Sequence, residues 1–250
     1  MTVNQDLLGK TAVITGAARG IGKAVAISLH SRGCNIVIAD NHEENAAKTC
    51  RELATRCTYH VTDVSQKSDV VGLMEHCISK FGGIDILVNN AGVDDTTSIL
   101  DMDVEEWDRV MNINLRSVFL CSKYALPSMI QRGGGCIISM SSIVARQGAM
   151  NGGIHYASSK GGILGFTKTL ARQMSSNNIR VNAITAGVVD TDLIQEHMAP
   201  EVRTKIENAI PMKRLAKTSE IGEVVAFLAS DQSSYMTGAT IDVNGGFWIG

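Results

Sequence analysis

Seven short apolar runs interleaved with six amphipathic stretches constrain the fold of this chain more tightly than any other feature. The runs cover residues 11–15, 35–39, 58–61, 84–88, 136–140, 180–185 and 240–243. They are rich in Val and Ile and lack polar alternation, the pattern of strands covered on both faces. Helical periodicity fills 21–31, 43–54, 67–81, 104–130, 156–175 and 219–230. Such alternation predicts an α/β, doubly wound parallel seven-stranded sheet in three layers. At 250 residues, 44% hydrophobic and 19% charged, the chain can bury one large core, so a single domain over 1–250 is expected.

One segment breaks the rhythm. Residues 190–217 are polar and contain Pro200 and Pro211. A connection this long in a compact domain reads as a functional lid, or as a surface excursion with small helices.

Bulk properties exclude several classes. A net charge of -2 implies no general attraction to nucleic acid or anionic membrane. The polar start, Met-Thr-Val-Asn-Gln-Asp, does not resemble a signal peptide, and no apolar run is long enough to span a bilayer. Six cysteines (34, 50, 57, 77, 121, 136) are scattered without a Cys-x-x-Cys pair. Disulfides and metal sites are therefore not expected, and a reducing, cytoplasmic setting fits.

Residues 15–22, Thr-Gly-Ala-Ala-Arg-Gly-Ile-Gly, follow the first strand and open a helix. Glycines 16, 20 and 22 permit close backbone approach to a pyrophosphate, and the helix start supplies N–H donors. The spacing, Gly-x-x-x-Gly-x-Gly, departs from the standard Gly-x-Gly-x-x-Gly fingerprint. Asp40 ends the second strand, eighteen positions after Gly22. An acid there can bind both adenosine ribose hydroxyls and repel a 2′-phosphate, which favours NAD over NADP. Arg19, inside the turn, pulls the other way.

Tyr156 and Lys160 stand four apart, on one face of a helix. A free phenol titrates near pH ~10, so acid/base work near ~7 needs a shift of about three units, or roughly 4 kcal/mol. A nearby lysine and a cationic cofactor ring have the right sign for it. Strand alternation places Ser141 opposite Ser142, so only one faces this phenol.

Together these residues resemble the short-chain dehydrogenase/reductase family over nearly the whole chain. The turn at 15–22 looks like that family's Thr-Gly-x-x-x-Gly-x-Gly, Asp63-Val64 resembles its adenine-contacting pair, and Asn89-Asn90-Ala91-Gly92 matches its Asn-Asn-Ala-Gly. Asn114, Ser142, Tyr156 and Lys160 match its catalytic tetrad in order. The resemblance implies a Rossmann-type domain in which Tyr156 moves a proton. Ser142 stabilises the substrate oxygen, Lys160 lowers the phenol pKa and holds the nicotinamide ribose, and Asn114 holds a water linking Lys160 to solvent. It further implies cofactor contacts from Gly16, Arg19, Gly20, Ile21, Gly22, Asp40, Asp63, Val64, Asn90, Ala91, Gly92, Tyr156, Lys160, Gly187, Val189 and Thr191. Where the family usually has Pro-Gly after the sixth strand, this chain has Ala186-Gly187.

Val93, Asp94 and Asp95, Val144 with residues 147–155, and the lid should frame the substrate, with contacts from Ser142, Val144, Asn151 and Tyr156. The polar residues there (Asp94, Asp95, Arg146, Gln147, Asn151, His155) suggest a polyol, sugar or hydroxy acid oxidised with NAD. Only 4% of the residues are aromatic, which disfavours a large apolar substrate. One alternative is an NADPH-dependent 3-oxoacyl reductase binding its carrier through Arg109, Arg116 and Lys123; another is a non-catalytic nucleotide sensor. The resemblance also implies a homotetramer built on helices 104–130 and 156–175, and the Phe247-Trp248 pair at the end of the chain should be covered.

Overall fold

The computed structural model describes residues 5–149 and 153–250. In chain order the elements are β1 (Thr11–Thr15), α1 (Gly20–Ser31), β2 (Asn35–Asp40), α2 (Glu43–Leu53), β3 (Cys57–Val61), α3 (Lys67–Phe81) and β4 (Ile86–Asn89). Next come α4 (Val104–Met111), a π turn (Asn112–Arg116), α5 (Ser117–Gln131), β5 (Gly135–Ser142), α6 (Val144–Gln147) and α7 (Ile154–Met174). The remainder is β6 (Ile179–Ala186), β7 (Val189–Asp190), α8 (Asp192–His197), α9 (Pro200–Ala209), β8 (Ala216–Lys217), α10 (Thr218–Ala229) and β9 (Thr240–Val243).

The expected seven-stranded sheet is present, wholly parallel, in the order β3-β2-β1-β4-β5-β6-β9. Its apolar runs explain themselves: successive side chains on a strand point to opposite faces, and both faces are covered. Ile14, Ile36 and Ile38 pack with Val25 and Leu29 of α1 and Ile221 and Val225 of α10. Val13, Val37, Leu87 and Ile137 face the other way, onto Leu73 and Met74 of α3 and Leu120 and Met129 of α5. Each fully buried side chain of this size contributes about 1.5–3 kcal/mol. The edge strands β3 and β9 are only half-buried, and there the two-sided covering fails. Burial pushes the thiols of Cys34, Cys77 and Cys121 up to about 12, leaving them inert as small hydrophobes.

Helix 104–130 is present and unbroken, wound through the π turn that joins α4 to α5. Segment 190–217 carries the small helices of the surface-excursion reading. Thr191 caps α8 by accepting from the Ile194 N–H, and Pro200 sits in the first turn of α9, where its missing N–H costs nothing. The segment is closed at its base by β7 pairing with β8, Val189 to Ala216 and Asp190 to Lys217.

The strand order reverses between β1 and β4, which opens a crevice at their carboxyl ends. Both the glycine turn and the Asn-Asn-Ala-Gly stretch lie there.

Candidate active site

A cavity of about 330 Å³ occupies that crevice. Gly16, Arg19, Asp40, Asp63, Val64, Asn90, Ala91 and Gly92 line it, all expected from the sequence, and Thr62 and Ile113 join them. Side-chain ties set the turn's shape. Asn90 donates through Nδ2 to the carbonyls of Thr15 and Gly16, both at 2.9 Å, and Thr15 Oγ1 accepts the N–H groups of Asn90 and Ala91. Thr49 of α2, which sequence reasoning missed, donates to the Ala18 carbonyl at 2.9 Å. No local motif marks it, because the contact spans 31 positions.

Gly16 and Gly22 leave no room for side chains. A Cβ on Gly16 would lie 2.9 Å from Ala91 Cα, and one on Gly22 would lie 2.1 Å from the Gly16 carbonyl oxygen. Gly22→Ala is therefore expected to destabilise the fold by about 1–3 kcal/mol and to weaken nucleotide binding. Thermal melts and fluorescence titration with NADH check both effects. Gly20 adjoins Thr191, whose Cγ2 would be 3.5 Å from an added Cβ. Gly187 instead admits Asn244 closely, Val189 is buried in the core, and Ile21 packs against that core.

Asp40 accepts from the Ala18 N–H at 3.0 Å and the His42 N–H at 3.1 Å. An ionised carboxylate offers about four acceptor sites, so two remain for a ligand in the cavity.

Deeper in the crevice the four tetrad candidates converge. Lys160, 5% exposed, donates from Nζ to the Met140 carbonyl at 2.9 Å and lies 5.6 Å from the Tyr156 ring centroid. A Cβ on Gly92 would sit 3.2 Å from Asn114 Oδ1 and 3.3 Å from Lys160 Nζ, which brings both groups to the cavity wall. Asn114 lies in the π turn, fully buried. Its Oδ1 accepts from the Val93 N–H at 2.8 Å, and its Nδ2 donates to the Val93 carbonyl and to Ser159 Oγ. Both amide hydrogens are thus committed, leaving one Oδ1 lone pair to accept from a water. Ser142 lies close enough to the Tyr156 phenol to favour its ionised form, whereas Ser141 donates to the Lys160 carbonyl at 2.8 Å.

Without a cofactor, burial pushes the Tyr156 phenol up to about 12; the neighbouring Ser142 opposes this and the Asp94 charge adds to it. Burial pulls Lys160 down to about 8 against the Asp94 charge. The lysine loses its proton well before the phenol, so alone it does not acidify Tyr156. The Asp94 carboxyl is itself raised, by burial above all.

The surrounding residues are more tied than the sequence suggests. Arg146 pairs with Asp242 at 3.1 and 3.2 Å and lies 5.0 Å from the Trp248 ring, giving that aromatic a partner. Arg109 holds Asp95 at 2.9 Å, Arg116 donates to the Ser65 carbonyl, and Lys123 lies over Phe119 at 5.6 Å. Val144 is half-buried beside Ser142, and Asn151 lies outside the described residues. Among the described residues, no helix is long and apolar enough to cross a membrane.

A doubly wound sheet with a glycine-lined crevice and a phenol beside a buried lysine fits a nucleotide-dependent oxidoreductase. The family model described as Enoyl-(Acyl carrier protein) reductase matches residues 16–248. A short-chain type dehydrogenase/reductase of Sinorhizobium fredii is 38% identical, with 97% of this chain and 99% of that protein covered. A 3-oxoacyl-(acyl-carrier-protein) reductase of Thermotoga maritima is 37% identical, with 97% and 99% covered. The crystal structure of a short-chain type dehydrogenase/reductase from Mycobacterium marinum superimposes with a TM-score of 0.93 at 33% identity, covering 98% of each chain. The chain belongs to the short-chain dehydrogenase/reductase family and is an NAD(P)-dependent oxidoreductase acting on CH–OH groups.

Proposed function

We propose that this enzyme transfers a hydride between NAD and a small polar secondary alcohol or its ketone. Buried Lys160 beside the Tyr156 ring, its Nζ 5.6 Å from the centroid, is the observation that carries this reading. The cradle formed by Gly16, Gly22 and Asn90 fits a pyrophosphate, the free acceptor sites of Asp40 fit a ribose diol, and the wall formed by Gly92 and Lys160 fits the nicotinamide end. When bound, the cofactor accepts or supplies the hydride and, in its oxidised form, brings a positive charge. Tyr156 takes the hydroxyl proton in oxidation and returns it in reduction. Ser142 holds the substrate oxygen and stabilises its developing charge. Lys160, at about 8, passes protons between the phenol and the water that Asn114 accommodates. We read residues 190–217 as the lid over this site. We read the enzyme as a homotetramer, supported by the exposed Phe119 and the apolar groove it shares with Leu115, Gly162 and Phe166.

Asp40 supports NAD over NADP. A 2′-phosphate would meet a like charge, a juxtaposition that costs several kcal/mol. Initial rates should favour NAD by about 100-fold in kcat/KM, and Asp40→Ser should erase most of that preference because Arg19 stays. A wild-type preference for NADP would overturn the assignment. It would also favour the second reading, a 3-oxoacyl thioester reductase, which the names of relatives such as the Thermotoga protein support. Arg109 and Arg116 argue against that reading, since both are already engaged.

A further inference from the structure

Immediately before Tyr156 stands a buried histidine that this chemistry does not use. His155 has no exposed surface; its Nδ1 accepts the Tyr156 backbone N–H at 2.9 Å, and its Nε2 lies 3.0 Å from Glu106 Oε1. A backbone donor at Nδ1 fixes the tautomer. The ring proton sits on Nε2 and goes to the carboxylate.

The contact answers a local need. Tyr156 is the third residue of α7, and the first N–H groups of a helix have no partner within it. The capping position is Gly153, which has no side chain to offer, so the His155 ring satisfies the donor from inside the helix. Gly153 must be small for the same reason, because a Cβ there would lie 2.0 Å from His155 Cε1. Gly153 also donates its N–H to the Asp95 carbonyl at 2.8 Å, and the Asp95 carboxylate holds Arg109 of α4. Asp95, Glu106 and His155 place their ligand-type atoms within 4.8 Å of one another. Both ring nitrogens are engaged, however, which leaves no lone pair for a metal.

We propose that His155, backed by Glu106, is a positioning residue for Tyr156. It locks the first turn of α7 to α4, so that the phenol stays beside Lys160. The proposal rests on the reading that Tyr156 carries the substrate proton.

The test compares wild type with His155→Ala, His155→Asn, Glu106→Gln and Tyr156→Phe. The first readout is hydrogen exchange by mass spectrometry on the cofactor-free protein, following the Tyr156 amide. Protection should fall at least tenfold in His155→Ala and return in His155→Asn, whose Oδ1 can accept the same N–H. The second readout is reduction of diacetyl and ethyl acetoacetate with NADH. His155→Ala should lose about 10- to 100-fold in kcat with NADH affinity unchanged, as expected for a misplaced rather than a missing group. His155→Asn should recover most of that loss, and Glu106→Gln, whose side-chain carbonyl can still accept the Nε2–H, should lose little. Unchanged amide protection in His155→Ala overturns the proposal. So does an unchanged kcat in His155→Ala where Tyr156→Phe is inactive. Full activity in Tyr156→Phe would instead remove the reading beneath it.

Discussion

Tyr156→Phe is expected to lower kcat by ~10²–10⁴-fold, the range that a positioned general acid or base supplies. The substitution removes one oxygen and leaves the ring 5.6 Å from Lys160 Nζ, so the packing of α7 onto β5 should persist. Nucleotide affinity should not change, because the cradle at Gly16 and Gly22 lies on β1 and α1. Steady-state rates by NADH absorbance, paired with a fluorescence titration of NADH, separate the two. A variant that turns over normally would show that the proton moves by another route.

Lys160→Met is expected to abolish turnover and to make the cofactor-free protein more stable. The folded pKa of about 8 lies below the ordinary 10.5. Between those values the unfolded chain binds the extra proton, so stability rises with pH across that window. Below it the native state carries a penalty of up to roughly 3 kcal/mol for the buried ammonium. The lost hydrogen bond to Met140 offsets about 1–2 kcal/mol of the gain. A net stabilisation of about 1–2 kcal/mol at pH 7 should therefore shrink toward zero near pH 10, and denaturant melts at both pH values test it. A variant less stable than wild type at pH 7 would mean that Lys160 is held by more than Met140.

Much of this architecture was legible because it rests on periodicity. Val13 and Ile14 serve opposite cores, so an unbroken apolar run reads as a strand covered twice. The π turn was not legible. Asn112, Ile113 and Leu115 suit either helical winding, and Asn114 meets Val93 only through the tertiary fold. The small helices of 190–217 were foreseen in kind but not in place, because Pro200 reads as a breaker until its position in the first turn of α9 is known. The tetrad candidates were legible by resemblance; the structure puts Asn114 and Lys160 beside Gly92 and Tyr156 beside Lys160. Their protonation order was not, since the burial of Lys160 has no local signature. His155 escaped for a related reason: a histidine beside an important tyrosine looks like pocket lining until Glu106, 49 positions away, is seen against it.

The clasp between β7 and β8 has a consequence for how this enzyme can change. Because two short strands close the neck of the excursion, its length is uncoupled from the floor below. Doubling a closed loop adds only about 0.6 kcal/mol of closure entropy. Insertions and deletions between Asp190 and Ala216 should therefore be tolerated far better than any substitution at Gly22. On the lid reading of residues 190–217, a rigid part sets which reaction occurs and an elastic part is free to redefine which compound undergoes it.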